Sequence, residues 1–223
     1  MKNIPPKSAQ RLIRCYHLAH ESWTSEKFYL TSRAIASLLG VDETQVRKDM
    51  ALIEIEGVPK KGYPVNMMIK KLKMLFGIHK ERWAVLVGVG NLGKALINYP
   101  GFFRYGVRIG CAFEKNPGKH WTQVGGVTVY PVEKIKEMAR TLKAEIGIIA
   151  IPPQEAQGAA MQLVEAGIRG IWNFSPTLLQ LPPGVVVRNE CLETGLVTLL
   201  YDLERDKNPC TFCAGTISSP SSP

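Results

Sequence analysis

The sequence lacks any apolar run near the roughly 18 residues needed to cross a bilayer, which excludes a helical membrane protein. The opening MKNIPPKSAQ carries no apolar stretch behind its lysine, so it does not read as a secretory signal, and a soluble, cytoplasmic chain is expected. Cysteines number five, Cys15, Cys111, Cys191, Cys210 and Cys213, and an odd count in such a chain argues against a disulfide framework. Cys210 and Cys213 have C-x-x-C spacing, open to a metal or dithiol role. No second pair and no nearby histidine completes a zinc site, so no metal is expected. Residues 206–223, ending SSPSSP, are expected to be a disordered tail.

Acidic charge is scarce in the first part of the chain. Residues 1–80 hold 14 Lys and Arg against 7 Asp and Glu, a net +7, whereas residues 81–223 hold 14 against 12, a net +2. A basic segment of this kind suits a polyanion such as DNA, whose phosphates release counterions on contact, or forms a solvated basic face.

Within residues 1–80, Gln10–His20 reads as an amphipathic helix with Leu12, Ile13, Tyr16 and Leu18 as its buried face. Thr31 or Ser32 caps a second helix burying Ile35, Leu38 and Leu39, and Gly40 stops it. Asp42 with Gln45 three residues on resembles a capping box for a helix over Glu43–Glu54, which buries Val46, Met50 and Ile53. Two short helices around a glycine turn make a helix-turn-helix. Its exposed row near the second helix's start holds Thr44, Gln45, Arg47 and Lys48. Arg47 suits a guanine edge, Gln45 an adenine edge and Lys48 a phosphate. Ser32 joins this face. Val58–Tyr63 is a basic turn able to act as a wing, with Lys60, Lys61 and Tyr63 toward DNA, and Asn66–Phe76 is a further helix. A small helical packing domain with a basic exterior is the alternative.

Residues 83–89 form an apolar strand that runs into Gly88-Val-Gly90-Asn91-Leu92-Gly93, and a helix over Asn91–Tyr99 follows. This is the G-x-G-x-x-G turn in the strand–turn–helix context it requires. Gly88 permits the tight turn, Gly90 admits a pyrophosphate and Gly93 lets helix pack on strand. A second strand, Val107–Phe113, leads to Glu114, 21 residues after Gly93, where an acid takes up ribose hydroxyls; NAD(H) is therefore favoured over NADP(H), with Lys115 softening the preference. Strands at Val127–Tyr130, Ile146–Ile151, Gly170–Phe174 and Val185–Arg188 alternate with helices at Val132–Leu142 and Gln154–Ala166, implying an open, mainly parallel sheet. Ile151 and Pro152, and Asn173, Phe174 and Ser175, stand at strand ends where a cofactor would lie, unless the prolines there are ordinary loop punctuation. No catalytic residue is expected. The four histidines, His17, His20, His79 and His120, avoid those loops, and no substrate domain follows.

A basic helix-turn-helix joined to this nucleotide fold resembles the Rex family of redox-sensing transcriptional repressors, from about Ile4 to Leu203. The resemblance is carried by Gln45-Val-Arg-Lys-Asp49, Val87–Gly93, Asn98-Tyr-Pro-Gly-Phe102, Ala112-Phe-Glu114, Val164-Glu-Ala-Gly-Ile168 and Asn173-Phe-Ser-Pro176. It implies a winged helix-turn-helix domain followed by a Rossmann-type domain and a C-terminal domain-swapped helix in a homodimer. The implied divisions are residues 1–80, 81–190 and 191–205. It also implies a pseudo-palindromic double-stranded DNA operator, bound in the apo or NAD⁺ form and released on NADH binding, with Tyr99 changing partners between states.

The chain departs from the family pattern at Ala51-Leu-Ile-Glu54 and Pro59-Lys-Lys-Gly62, and at His17 and Cys191, where the family has an arginine and an aspartate. In the family that the chain resembles, those two positions help couple cofactor state to DNA geometry. The expectation is therefore an NADH-released repressor, with a Rex-like paralogue of weakened NADH response as the alternative and a small NAD-dependent reductase as a remote one.

Overall fold

The computed structural model describes residues 4–205. Among the described residues, those up to His79 together with Tyr201–Arg205 form one compact unit, and Lys80–Leu200 form another. Cys210 and Cys213, and the tail expected to be disordered, lie outside the described residues.

The first unit opens with α1 (Pro6–Thr24), which begins with proline in its first turn, where no intrahelical N–H partner is lost. It buries Ser8, Leu12, Cys15, Tyr16, Ala19 and Ser22. This stripe of mostly small residues lets α4 (Val65–Phe76) pack against it. Ile13, expected inside, is 42% exposed, because it stands one helical step off that stripe. A two-residue strand β1 (Tyr29–Leu30) then leads into α2 (Ser32–Leu39). The Thr31 hydroxyl accepts the Ala34 N–H at 3.1 Å, and Gly40 closes the helix in the left-handed region at φ 65°. Ile35 and Ala36 are the buried residues of α2, and Leu38 is exposed, contrary to expectation.

The next helix, α3 (Glu43–Leu52), is capped by Asp42, whose carboxylate accepts the Gln45 N–H at 2.9 Å. It ends two residues before the expected Glu54, which adopts a positive φ of 56° and breaks the helix. Ile53 is still buried, from outside the helix. Strand β2 (Tyr63–Pro64) pairs antiparallel with β1, and a turn from Val58 to Gly62 precedes it. A β-carbon on Gly62 would strike the Leu30 carbonyl, so that close approach demands glycine. A helix-turn-helix with this ribbon is a winged helix.

The second unit is a seven-stranded sheet in the order β5-β6-β4-β3-β7-β8-β9. Its strands are β3 (Arg82–Val87), β4 (Val107–Glu114), β5 (Gln123–Val124), β6 (Val127–Pro131), β7 (Ile146–Ile149), β8 (Gly170–Asn173) and β9 (Val186–Asn189). All pairings are parallel except the β5–β6 hairpin, in which β6 is the expected strand at Val127–Tyr130 and β5 has no counterpart among the expected strands. Without β5 the order is that of a doubly wound dinucleotide-binding sheet, which reverses direction between β3 and β7. Helices α5 (Asn91–Ile97), α6 (Ile135–Thr141) and α7 (Pro153–Glu165) cover it. One face buries Val85, Val87, Phe113, Ile149 and Leu163, and the other Ala84, Leu86, Ala112 and Ile148, so the central strands are apolar on both sides.

Helix α5 stops at Ile97 rather than Tyr99. Pro100 forces Tyr99 into extended backbone (φ −78°, ψ 110°), and a 3₁₀ turn over Pro100–Tyr105 follows. The last described element is α8 (Leu192–Arg205), on which Leu196, Val197, Leu199, Leu200, Tyr201 and Leu203 are all more than half exposed.

Candidate dinucleotide cleft and nucleic-acid face

At the carboxyl ends of β3 and β7 the second unit has a cleft of about 660 Å³. Gly88, with φ 98°, turns the chain there, and a β-carbon on it would strike the Ala150 carbonyl. A β-carbon on Gly93 would strike the Gly88 carbonyl, so both glycines are fixed by close packing. Gly90 differs. It lines the cleft, and a β-carbon there meets no protein atom within 4 Å. The backbone is bare on the side where a pyrophosphate would lie, and the first turn of α5, with Asn91 exposed and Leu92 half-buried, follows at once.

Glu114 closes the far end. Its Oε2 accepts the Val89 N–H at 3.1 Å and the Lys119 ammonium at 3.2 Å, and its Oε1 accepts the backbone N–H groups of Lys115 (2.9 Å) and Asn116 (3.2 Å). Burial pushes this carboxyl upward, but the N–H groups of Asn116 and Val89 together with Lys119 outweigh it and hold the group below the ordinary glutamate value. It is thus an ionised carboxylate, chemically suited to accept hydroxyls such as those of a ribose. Lys119, which also donates to the Val89 carbonyl at 3.1 Å, was not visible as a site residue from spacing alone. The same holds for Val132, Ile135, Ala159 and Gln162, which line the cleft from helical segments beyond the glycine turn. Ile151 and Pro152 line it as expected. These features fit a dinucleotide: an open glycine for the phosphates, an acid for a ribose and an apolar wall for a base.

Asn173, Phe174 and Ser175 are not among the residues that line this cleft. Asn173 is fully buried, and its amide nitrogen donates to the carbonyls of Ser175 (3.2 Å) and Thr177 (2.9 Å) and to Asn189 Oδ1 (2.9 Å). Its own oxygen accepts the Ser175 N–H at 3.0 Å. The Ser175 hydroxyl donates to the Ile151 carbonyl, so this loop braces the cleft wall from behind. Phe174 is half-buried against Trp172, with ring centroids 4.8 Å apart.

Tyr99 is exposed, its ring set edge-on to Phe102 at 5.0 Å. Cys191 is exposed, with its thiol 3.1 Å from Glu193 Oε2. Burial pushes the Cys15 and Cys111 thiols up to about 12, so both are protonated and unreactive. Among the described residues no group of three or more His, Cys, Asp or Glu is placed to hold a metal, and no helix is long and apolar enough to cross a membrane.

In the first unit Thr44, Arg47 and Lys48 are exposed on α3 as expected, and Lys60 and Lys61 are exposed on the wing. Lys60 sits at φ 64° at the tip of its turn, and the Lys61 ammonium lies over the Tyr29 ring at 5.5 Å. Glu43 organises the entrance to α3. It accepts the Ser32 hydroxyl at 2.8 Å and Arg33 Nε at 3.2 Å, and it stands 3.5 Å from Arg47 Nη1. Arg33, with its side chain 88% exposed, belongs to this face although helix-turn spacing did not single it out.

Two expected DNA contacts need correction. Gln45 is half-buried, and its amide donates to Asp49 Oδ1 at 3.1 Å, four residues along the helix, rather than pointing outward or back to complete a capping box. Tyr63 is buried in the ribbon, which places it beneath the wing rather than on it. His17 is exposed on α1.

Comparison with known proteins agrees with this geometry. The family model described as CoA binding domain matches residues 79–177. The redox-sensing transcriptional repressor Rex of Treponema denticola is 35% identical over 192 residues, covering 86% of this chain and 91% of the relative. That of Desulfitobacterium hafniense is 38% identical over 174 residues, covering 78% and 83%. Among solved structures, RSP in complex with β-NAD⁺ and operator DNA matches with a TM-score of 0.86 at 30% identity, over 93% of this chain and 95% of that one. RSP in complex with β-NADH matches with a TM-score of 0.83, also at 30% identity, over 93% and 97%. With identity of this order along most of both chains, the protein belongs to the Rex family of redox-sensing transcriptional repressors.

Proposed function

We propose that this chain is a DNA-binding repressor whose operator affinity responds to NADH and NAD⁺, with residues 1–80 as the DNA-binding part and residues 81–190 as the nucleotide-binding part. One observation carries the reading: a cleft with an open Gly90 and an ionised Glu114, built at the reversal of a doubly wound sheet, shares a chain with a capped and winged helix-turn-helix. Arg47, Lys48 and Thr44 face DNA, joined by Arg33, Lys60 and Lys61. Gly88, Gly90, Asn91, Gly93, Glu114, Ile151 and Pro152 hold the dinucleotide. A dinucleotide in this cleft supplies the redox signal through the oxidation state of its nicotinamide.

A second copy of the chain is part of the reading. The exposed Leu196, Val197, Leu199, Leu200 and Leu203 of α8 support it, since so many apolar side chains on one helix call for a partner surface. A homodimer matches a pseudo-palindromic operator by symmetry. A cytoplasmic location follows from the DNA partner.

The test is binding of a duplex obtained by in vitro selection with the purified protein, measured across an NADH titration. Affinity that falls as NADH rises supports the reading; one curve at every NADH concentration contradicts it, because a ligand equally bound by both states shifts nothing. Steady oxidation of NADH by the purified protein would favour a reductase instead.

Weakened NADH response is a second reading, favoured by Cys191 and His17 standing at positions where the family has an aspartate and an arginine. The double variant His17→Arg, Cys191→Asp steepens the NADH response under this reading and leaves it unaltered otherwise.

A further inference from the structure

The ribose end of the cleft holds an ion pair in addition to the Glu114 cluster. Lys115 Nζ lies 2.9 Å from Glu155 Oε1, and both residues line the cleft. Lys115 follows the last residue of β4, and Glu155 stands in the first turn of α7. Their side chains are 73% and 45% exposed, so the contact is screened by water.

Glu114 itself is held in place by three backbone N–H groups and Lys119. The Lys119 ammonium balances its charge locally. A phosphate on the adjacent ribose 2′-oxygen would therefore meet less repulsion than a bare carboxylate presents. Against that background the remaining cation on the rim decides the outcome. Lys115 is within side-chain reach of the residue that takes the ribose, on a flexible stem with three donors, and suits a phosphomonoester as a point charge. Glu155 engages that cation and adds a negative charge of its own to the rim.

We propose that the Lys115–Glu155 ion pair sets the discrimination between NADH and its 2′-phosphorylated counterpart NADPH. While Glu155 holds Lys115, the rim offers a 2′-phosphate no committed cation and one additional carboxylate. Neutralising Glu155 turns the same lysine into a phosphate ligand. The inference rests on the cleft being an NAD(H) site, as proposed above, and adds the residues that choose between the two dinucleotide classes.

Calorimetric titrations of the full-length protein with NADH and with NADPH test it, using Glu155→Gln, Lys115→Gln and the double variant. The wild type should bind NADH more tightly. In Glu155→Gln the ratio of the NADPH to the NADH dissociation constant should fall about fivefold, the scale of one screened charge contact. The double variant should lose that gain, because the lysine that supplies it is gone. Both positions are exposed, so the variants should retain the wild-type circular dichroism. A ratio in Glu155→Gln within about twofold of wild type overturns the proposal. So does a gain that persists in the double variant, which would make it a general charge effect. Failure of the wild type to bind either dinucleotide overturns the NAD(H) reading itself and this inference with it.

Discussion

The Arg11 guanidinium grips the Asp49 carboxylate by both oxygens, Nε to Oδ2 at 2.5 Å and Nη2 to Oδ1 at 2.9 Å, and so ties α1 to α3, the second helix of the helix-turn-helix. Asp49 is 3% exposed, and Oδ1 also accepts the Gln45 amide. Removing one partner leaves the other charge buried and alone, whereas replacing both by apolar groups of similar volume does not. Asp49→Ala should therefore destabilise the first unit by about 3 kcal/mol, and Arg11→Met with Asp49→Leu should recover most of the loss. Hydrogen exchange of the α1 and α3 amides reads this locally. Equal losses in the single and double variants would mean that packing, not charge, dominates the site.

Gly88 and Gly90 stand two residues apart in one turn and should fail differently. Gly88 has φ 98° and is pressed against Ala150, so Gly88→Val should lower the melting temperature and abolish nucleotide binding together. Gly90 has φ −79° and ψ −165°, backbone that any residue adopts, with open space at its β-carbon. Gly90→Val should keep the wild-type melting temperature and weaken NADH binding at least about tenfold by occupying the cleft. A Gly90 variant that melts early, or one that binds NADH as wild type does, contradicts this assignment.

What could be read from the sequence was what local chemistry dictates. Gly88, Gly93 and Glu114 are legible because a tight turn, a close helix contact and a strand-end acid each demand one residue type at a fixed spacing. Asp42 and Gly40 are legible for the same reason, as helix ends need caps and stops. Ile13 was misplaced because a helix with apolar residues on neighbouring angles offers two faces. The small residues Ser8, Cys15 and Ala19 select one of them by permitting close approach of α4. Gln45 and Tyr63 looked like DNA contacts by position, but Asp49 and the ribbon core claim them. Asn173 stands at a strand end as ligand-binding residues do, yet unsatisfied carbonyls around it use its amide. Lys119 reaches Glu114, and Gln162 the cleft, only through tertiary folding, and no spacing rule marks them.

Acid should weaken the second unit partly through Glu114. Its carboxyl is held below the ordinary value in the folded protein, since the bonds from Asn116, Val89 and Lys119 outweigh the upward push of burial. A group depressed on folding contributes stability that is complete above its unfolded value and disappears as the pH falls through the folded one. Glu114→Gln should therefore melt below wild type at neutral pH, and the gap should close as acidification proceeds through and beneath the carboxylate range. Thermal melts of both proteins over that range check the sign. A gap that stays constant with pH would place the effect in lost packing rather than in the charge.

Glu43 should tune how tightly the first unit holds DNA of any sequence. Its carboxylate takes the Ser32 hydroxyl and Arg33 Nε, stands 3.5 Å from Arg47 Nη1, and lies below the ordinary glutamate value because of the Ser32 and Arg33 hydrogen bonds. It thus remains charged and offsets two arginines that would otherwise meet phosphates or base edges. Glu43→Gln keeps the side chain's shape and removes that offset. Affinity for a random duplex should rise, and the dependence of log affinity on log salt should steepen by about one phosphate contact. The preference for a selected duplex over a random one should narrow, since Arg47 loses the contact that orients it. Fluorescence anisotropy with both duplexes across a salt series measures all three quantities. An unchanged salt slope in the variant would mean that Arg33 and Arg47 already reach DNA unhindered, and that Glu43 only stitches α2 to α3.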